Sequence, residues 1–168
     1  RSVIDSIPSD RPVSVERETF PELLAANRMV LGVVDEGYWL DLGTPLAFAK
    51  GSADLVRGIA PSPLLVGRTA EALIEASAQV DPSASITGGT YVGHNAVVGA
   101  GAVITGSVIF ADVEVGSGTR IVNSIVSTAA KISSDCQIVD TVIAERTQIG
   151  IGITLDPGTL VFPDETIN

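Results

Sequence analysis

Cysteine, histidine, methionine and tryptophan each occur once in these 168 residues, and aromatic side chains make up only 4% of the chain. The single cysteine, Cys136, rules out an internal disulfide and fits a reducing compartment. The single histidine, His94, rules out a metal centre built on several imidazoles from one chain. Basic residues are scarce: 10 Lys and Arg against 20 Asp and Glu leave a net charge of -10 and no basic footprint for nucleic acid. No apolar run approaches the roughly 18 residues that cross a bilayer, and no signal-peptide pattern opens the chain. A soluble, cytoplasmic protein without a membrane partner is therefore expected. So few aromatics suit a narrow interior better than a broad layered core.

What the chain has instead is a period. From Ile74 to Ile167 one aliphatic residue returns every six residues, occasionally every five: Ile74, Val80, Ile86, Val92, Val98, Ile104, Ile109, Val115, Ile121, Val126, Ile132, Ile138, Ile143, Ile149, Leu155, Val161 and Ile167. In most hexads a small or short side chain stands two places earlier, as at Ala78, Ala96, Ser107, Ser124 and Cys136. Such a period marks a repeat architecture. It predicts a mainly β fold, a parallel β-helix of hexapeptide repeats in which three hexads close one coil. The coil period is then 18, or 17 where a hexad has lost a residue, and Ile104, Ile121, Ile138 and Leu155 are each 17 apart. Stacking superposes the β-branched residues at about 4.8 Å, in between five and six coils. Gly93, Gly99, Gly116 and Gly150, each just after an aliphatic position, are expected at corners of positive φ. Cys136 is expected to be a buried thiol.

Side chains alternate along a strand, so the residue before each aliphatic position points outward. Sorted by side, one face presents Leu73, Tyr91, Val108, Ile125, Val142 and Leu160, an apolar ladder; the other two are mainly polar. A continuous exposed apolar patch marks an interaction site. The ladder is expected to pack on another subunit, giving a homo-oligomer, or on another domain of the same chain.

Residues 1–58 have a different texture. Thr19-Phe20-Pro21-Glu22 reads as a capping box leading a short helix that Asn27 ends. Met29 to Val34 and Gly37 to Leu40 read as two strands about an acidic turn. Thr44-Pro45 opens a second helix, with Thr44 as N-cap, and Gly58 stops it. Ala60-Pro61-Ser62-Pro63 marks a linker over 59–72, an irregular approach to a β-helix over 73–168. So few residues of mixed elements bury too little surface alone, and the chain opens at Arg1 without a methionine. The front segment is expected to be the tail of an α/β domain, and the chain a fragment of a longer protein.

Three stretches carry a resemblance: Ser14-Val15-Glu16-Arg17-Glu18-Thr19-Phe20-Pro21, then Gly37-Tyr38-Trp39-Leu40-Asp41-Leu42-Gly43-Thr44-Pro45 followed by a helix, then the hexapeptide repeats. Together they resemble the C-terminal part of the sugar-nucleotide pyrophosphorylases, and among these the bacterial mannose-1-phosphate guanylyltransferases. The resemblance implies a Rossmann-like nucleotidyltransferase domain that joins a nucleoside triphosphate to a sugar 1-phosphate and releases pyrophosphate, with Mg2+. It also implies that the β-helix winds left-handed and serves assembly or regulation. The family's glycine-rich triphosphate signature is absent, so this chain is expected to be inactive alone, with nucleotide and sugar phosphate as partners of the full-length enzyme.

Asp41 is the leading candidate for chemistry. Mg2+ takes one or two carboxylates plus substrate oxygens and waters, and the resemblance implies that role for the Asp of W-x-D-x-G-T; alternatively Asp41 satisfies turn amides before the helix. Gly43 and Thr44 adjoin it and could border a sugar-phosphate pocket, or serve only as turn and N-cap. Glu16 and Glu18 precede a helix, where acidic side chains favour the dipole. His94 invites comparison with β-helix acyltransferases that use a histidine base, but its hexad is ordinary and no long loop interrupts the repeat. No set of nucleophile, base and orienting group is visible in the sequence. A hexapeptide acyltransferase and a purely structural oligomerisation module are the two alternatives to the nucleotidyltransferase reading.

Overall fold

The computed structural model describes residues 1–67 and 69–168; Arg68, inside the expected linker, lies outside the described residues. The chain forms two compact units, Arg1–Gly37 and Tyr38–Asn168.

Among the described residues of the second unit, seventeen strands of two or three residues run from Ala72–Ile74 to Thr166–Ile167. They stack into parallel sheets of six, six and five strands, each strand pairing with the third before and after it in sequence. The register is the one the period demands: Ile104, Ile121, Ile138 and Leu155 lie one above another. So do the outward-facing Tyr91, Val108, Ile125, Val142 and Leu160. This is a parallel β-solenoid, an architecture consistent with the left-handed β-helix that the resemblance implies. Its interior is a single column containing Val92, Ile104, Ile121, Ile138 and Ile143, all fully buried. Each such side chain stabilises the fold by about 1.5–3 kcal/mol through burial. Cys136 sits in that column, with its Sγ 3.0 Å from the carbonyl of Gly150.

The corners correct one expectation. Gly93, Gly99, Gly116 and Gly150 are not at positive φ; that conformation falls two residues later, at Asn95, Gly101, Gly118 and Gly152. The four glycines are needed for space instead. A Cβ on Gly93 would lie 2.8 Å from the Phe110 carbonyl carbon of the next coil, and one on Gly116 2.5 Å from that of Ser133. Asn95 is one of the residue types that enter the left-handed region at low cost.

Where a hexad has five residues, the shortened corner has its own device. The Ser107 N–H donates to Thr90 Oγ1 (3.3 Å), that of Ser124 to Ser107 Oγ (3.1 Å), and that of Thr141 to Ser124 Oγ (3.1 Å). The short residue two places before Ile109, Val126 or Ile143 thus gives its backbone N–H to a buried hydroxyl of the preceding coil, at Thr90, Ser107 or Ser124.

Helix α3, Pro45–Val56, belongs to the same unit. Thr44 caps it, Oγ1 accepting from the Ala47 N–H at 3.2 Å, and Gly58 at φ 71° ends it. It lies along the apolar ladder. Pro45 and Leu46 line a small cavity with Ile125 and Val142, and at the other end Ala53 comes so close to Gly89 that a Cβ there would be 2.5 Å from the Ala53 carbonyl oxygen. A 12-residue helix spans about 18 Å, nearly four coil spacings. Val108 is buried, Tyr91, Ile125 and Val142 are half-buried, and Leu160 is 58% exposed.

In the first unit are α1, Ser2–Asp5, and α2, Phe20–Ala25, the latter preceded by a wide π-type turn over Val15–Thr19. Two expectations fail here. Thr19 is not the N-cap: Ser14 is, its Oγ accepting from the Arg17 N–H at 3.2 Å while the Glu18 carboxylate accepts the Ser14 N–H at 3.1 Å. The reciprocal pair survives, moved upstream by the wide turn. Met29 to Val34 and Gly37 to Leu40 form no strands. No described segment pairs with either, and a strand without a neighbour has nowhere to place its backbone donors. Asn27, at φ 51°, does end α2. Among the described residues no helix is long and apolar enough to cross a membrane.

Candidate functional site

The W-x-D-x-G-T-P stretch becomes a strap, Tyr38–Gly43, running over the outer side of α3. At its start the Tyr38 hydroxyl donates to Asp54 Oδ2 at 2.8 Å, and Lys50 bonds the same oxygen from one helical turn away. Asp54 is only 6% exposed. Burial by itself would push its carboxyl up, but the hydrogen bonds from Lys50 and Tyr38, with the charges of Lys50 and Arg57, hold it below the usual carboxylate range. Burial, then the bond to Asp54, pushes the Tyr38 hydroxyl up. In the middle of the strap Leu40 and Leu42 lie on Gly51; a Cβ there would come within 2.8 Å of Leu42 Cδ2. At its end the chain turns into the N-terminus of α3.

Asp41 stands in that last turn. Its Oδ1 accepts the Gly43 N–H at 3.0 Å, and the residue is exposed. The structure therefore brings Asp41, Gly43 and Thr44 together, with Gly43 as turn donor and Thr44 as helix cap. A carboxylate oxygen is the hard donor Mg2+ accepts, and Asp41 keeps its second oxygen for one. No group of three or more His, Cys, Asp or Glu side chains among the described residues could hold an ion; Asp41 by itself offers a single carboxylate. The strap's outward side is apolar: Trp39 is 82% exposed, and Leu42, Phe48 and Leu55 are exposed with it. Glu18, by contrast, is occupied by Arg11 (2.7 Å) and by the cap; Glu16 is exposed.

One constellation escaped the sequence reading. Coil stacking sets Ser77 Oγ 3.3 Å from His94 Nδ1, with Glu75 Oε2 3.8 Å from Nε2 and the Tyr91 hydroxyl on Glu75 Oε1 at 3.2 Å. The 17- and 18-residue coil period would have revealed it, had outward positions been stacked as the inward ones were. The His94 side chain is 65% exposed on a convex corner, and Ser77 Oγ already accepts the Asn95 N–H at 3.1 Å. This set ties two coils together.

Comparison with known proteins bears on the coils. The family model described as the GMPPB C-terminal domain matches residues 68–168. A mannose-1-phosphate guanylyltransferase of Mycobacterium tuberculosis is 54% identical over 114 residues, covering 67% of this chain and 32% of that protein. Mannose-1-phosphate guanylyltransferase 1 of Arabidopsis thaliana is 32% identical over 110 residues, covering 64% of this chain and 29% of its own length. The chain thus spans about a third of the length of these relatives. Among solved structures, the acetyltransferase domain of PglB from Neisseria gonorrhoeae is 25% identical over 68% of this chain and 60% of that one, at a TM-score of 0.35, too low to carry weight. The match over the coils shows that this chain belongs to the GMPPB C-terminal domain family and is related to the C-terminal region of the sugar-nucleotide pyrophosphorylases.

Proposed function

We propose that this chain works as the C-terminal part of a mannose-1-phosphate guanylyltransferase. In that reaction a phosphate oxygen of mannose 1-phosphate attacks the α-phosphorus of GTP. The bond from that phosphorus to the bridging oxygen breaks, and pyrophosphate leaves. The observation that carries the reading is the strap: an exposed carboxylate, Asp41, fixed at a helix start beside an uncovered apolar surface of Trp39, Leu42, Phe48 and Leu55. That surface, like the unpaired apolar stretch from Met29 to Val34, suits docking against the α/β portion that the longer relatives have room for. Asp41 then supplies one oxygen donor for Mg2+ at the phosphates, and Gly43 and Thr44 border the sugar-phosphate pocket.

The test is the full-length protein assayed with GTP and mannose 1-phosphate for pyrophosphate release, against the same protein carrying Asp41→Asn. A rate lowered at least about tenfold by removing one charged ligand supports the reading. A rate unchanged by Asp41→Asn overturns the role of Asp41, and no turnover of any sugar 1-phosphate overturns the activity.

The β-helix is proposed as the assembly module, by self-association at the part of the ladder beyond α3, where Leu160 and, on the same coil, Phe162 are exposed. Light scattering of wild type and Leu160→Glu checks this. A discrete oligomer dissociated by the charge supports it, and a mass indifferent to the substitution sinks it.

A further inference from the structure

Helix α3 is gripped from both sides. On its inner side Pro45 and Leu46 rest at Ile125 and Val142, and Ala53 rests against Gly89. On its outer side Gly51 leaves room for Leu40 and Leu42, and Asp54 with Lys50 takes the Tyr38 hydroxyl. The strap therefore has two fixed ends. One is the Tyr38–Asp54 bond; the other is the Asp41–Gly43 turn fused to the Thr44 cap, which leads straight into Pro45 and Leu46 at the cavity shared with Ile125 and Val142. Nothing else among the described residues bonds the Asp41 carboxylate. Where it stands is set by α3, and where α3 stands is set by the β-helix.

We propose that Tyr38, Asp54 and Lys50 form a positioning lock, and that through it and the seat of α3 on Ile125 and Val142 the β-helix holds the Asp41 carboxylate in place for the metal. The β-helix is then a mechanical reference for the nucleotidyl-transfer site as well as a scaffold. These are positioning residues; none of them touches substrate. The lock joins groups that differ in kind. Tyr38 and Lys50 both donate to one carboxylate oxygen, so removing a single hydroxyl weakens the strap without leaving Asp54 unpaired.

This rests on Asp41 being a metal donor, and the test separates the two claims. Tyr38→Phe and Ile125→Ala are made in this chain and in the full-length protein. The first readout is amide hydrogen exchange at Trp39–Gly43 in this chain, which needs no metal or activity. The expected result is exchange there about five- to tenfold faster in both variants, with the amides of the coils from Ala72 on unchanged, which shows that the β-helix still folds. The second readout is the Mg2+ concentration for half-maximal rate in the full-length protein. It is expected to rise about five- to tenfold in Tyr38→Phe, while the same protein with Asp41→Asn shows at least that rise. Unchanged exchange at Trp39–Gly43 overturns the lock. Faster exchange with an unchanged Mg2+ requirement in Tyr38→Phe, when Asp41→Asn raises it, overturns the link between lock and metal. An unchanged requirement in Asp41→Asn overturns the reading of Asp41 itself, and the exchange result still decides the lock.

Discussion

The coils from Ala72 on and the stretch from Arg28 to Glu36 are built from similar side chains and reach opposite ends. Ile121, Ile138 and Ile143 are fully buried, whereas Met29, Leu31, Val33 and Val34 are among the most exposed residues of the chain. Hydrophobicity is the same; the difference is what each segment can pair with. A hexad finds its partner 17 or 18 residues away, in a coil that carries the same pattern, so backbone and side chain are satisfied together. The apolar run at 29–34 has no such partner among the described residues and remains irregular and uncovered. A sequence repeat supplies its own neighbours, and a lone strand signal does not.

Substitutions can break that comparison. The largest effect is expected from Ile138→Ala, which opens a cavity in the fully buried column and should cost about 2–5 kcal/mol, read as a lower urea midpoint by circular dichroism. Gly116→Ala should cost about 1–3 kcal/mol by overpacking, because the new Cβ meets backbone of the next coil. Ser124→Ala removes the buried acceptor of the Thr141 N–H and should also cost about 1–3 kcal/mol; a neutral result would show that the shortened corners do not need their hydroxyls. Val33→Ala, at an exposed position, should stay within about 0.5 kcal/mol. A cost like that of Ile138→Ala would erase the contrast between the two regions.

The smallest expected effect is one of pH, and it sharpens the contrast between strap and coil. The Asp54 carboxyl lies below its ordinary 3.8 in the folded chain. Its contribution is present above that value and lost as the pH falls through the lower folded one. Tyr38 is raised above 10.0, so its share is present below that and lost as the pH rises through the folded value. Lys50 shifts in the same direction as Tyr38. The lock is therefore intact between these limits and opens beyond each. Quenching of Trp39 fluorescence should change at either end before the dichroism of the β-helix does; simultaneous change would mean that strap and coils unfold as one.

Much of the fold was legible. The inward column, the outward ladder and their register all follow from positions of one residue type, because a coil of fixed length turns sequence separation directly into stacking. The glycines were legible as necessary but misassigned: positive φ and close approach both select glycine, and the backbone angles, with the clash a Cβ on Gly116 would make with the Ser133 carbonyl carbon, tell them apart. The N-cap of α2 was misplaced by five residues because the wide turn is not encoded by the cap pair, which fits Ser14 and Glu18 as well as Thr19 and Glu22. In the strap, the motif put Asp41, Gly43 and Thr44 in one turn at a helix start, as the structure has them. Asp54 and Lys50 were not legible, since two charged residues on a helix are ordinary until one of them is buried against Tyr38.

The sequence by itself determined the β-helix, its coil length, its interior and the family to which the motif points, because those depend on a local period repeated without interruption. Only the tertiary structure decided that α3 lies on the apolar ladder, that the strap crosses α3 to Asp54, and that Pro45 and Leu46 share a cavity with Ile125 and Val142. Those contacts join segments related by no period, and which apolar surfaces meet is decided by shape and by the partnering of buried polar groups.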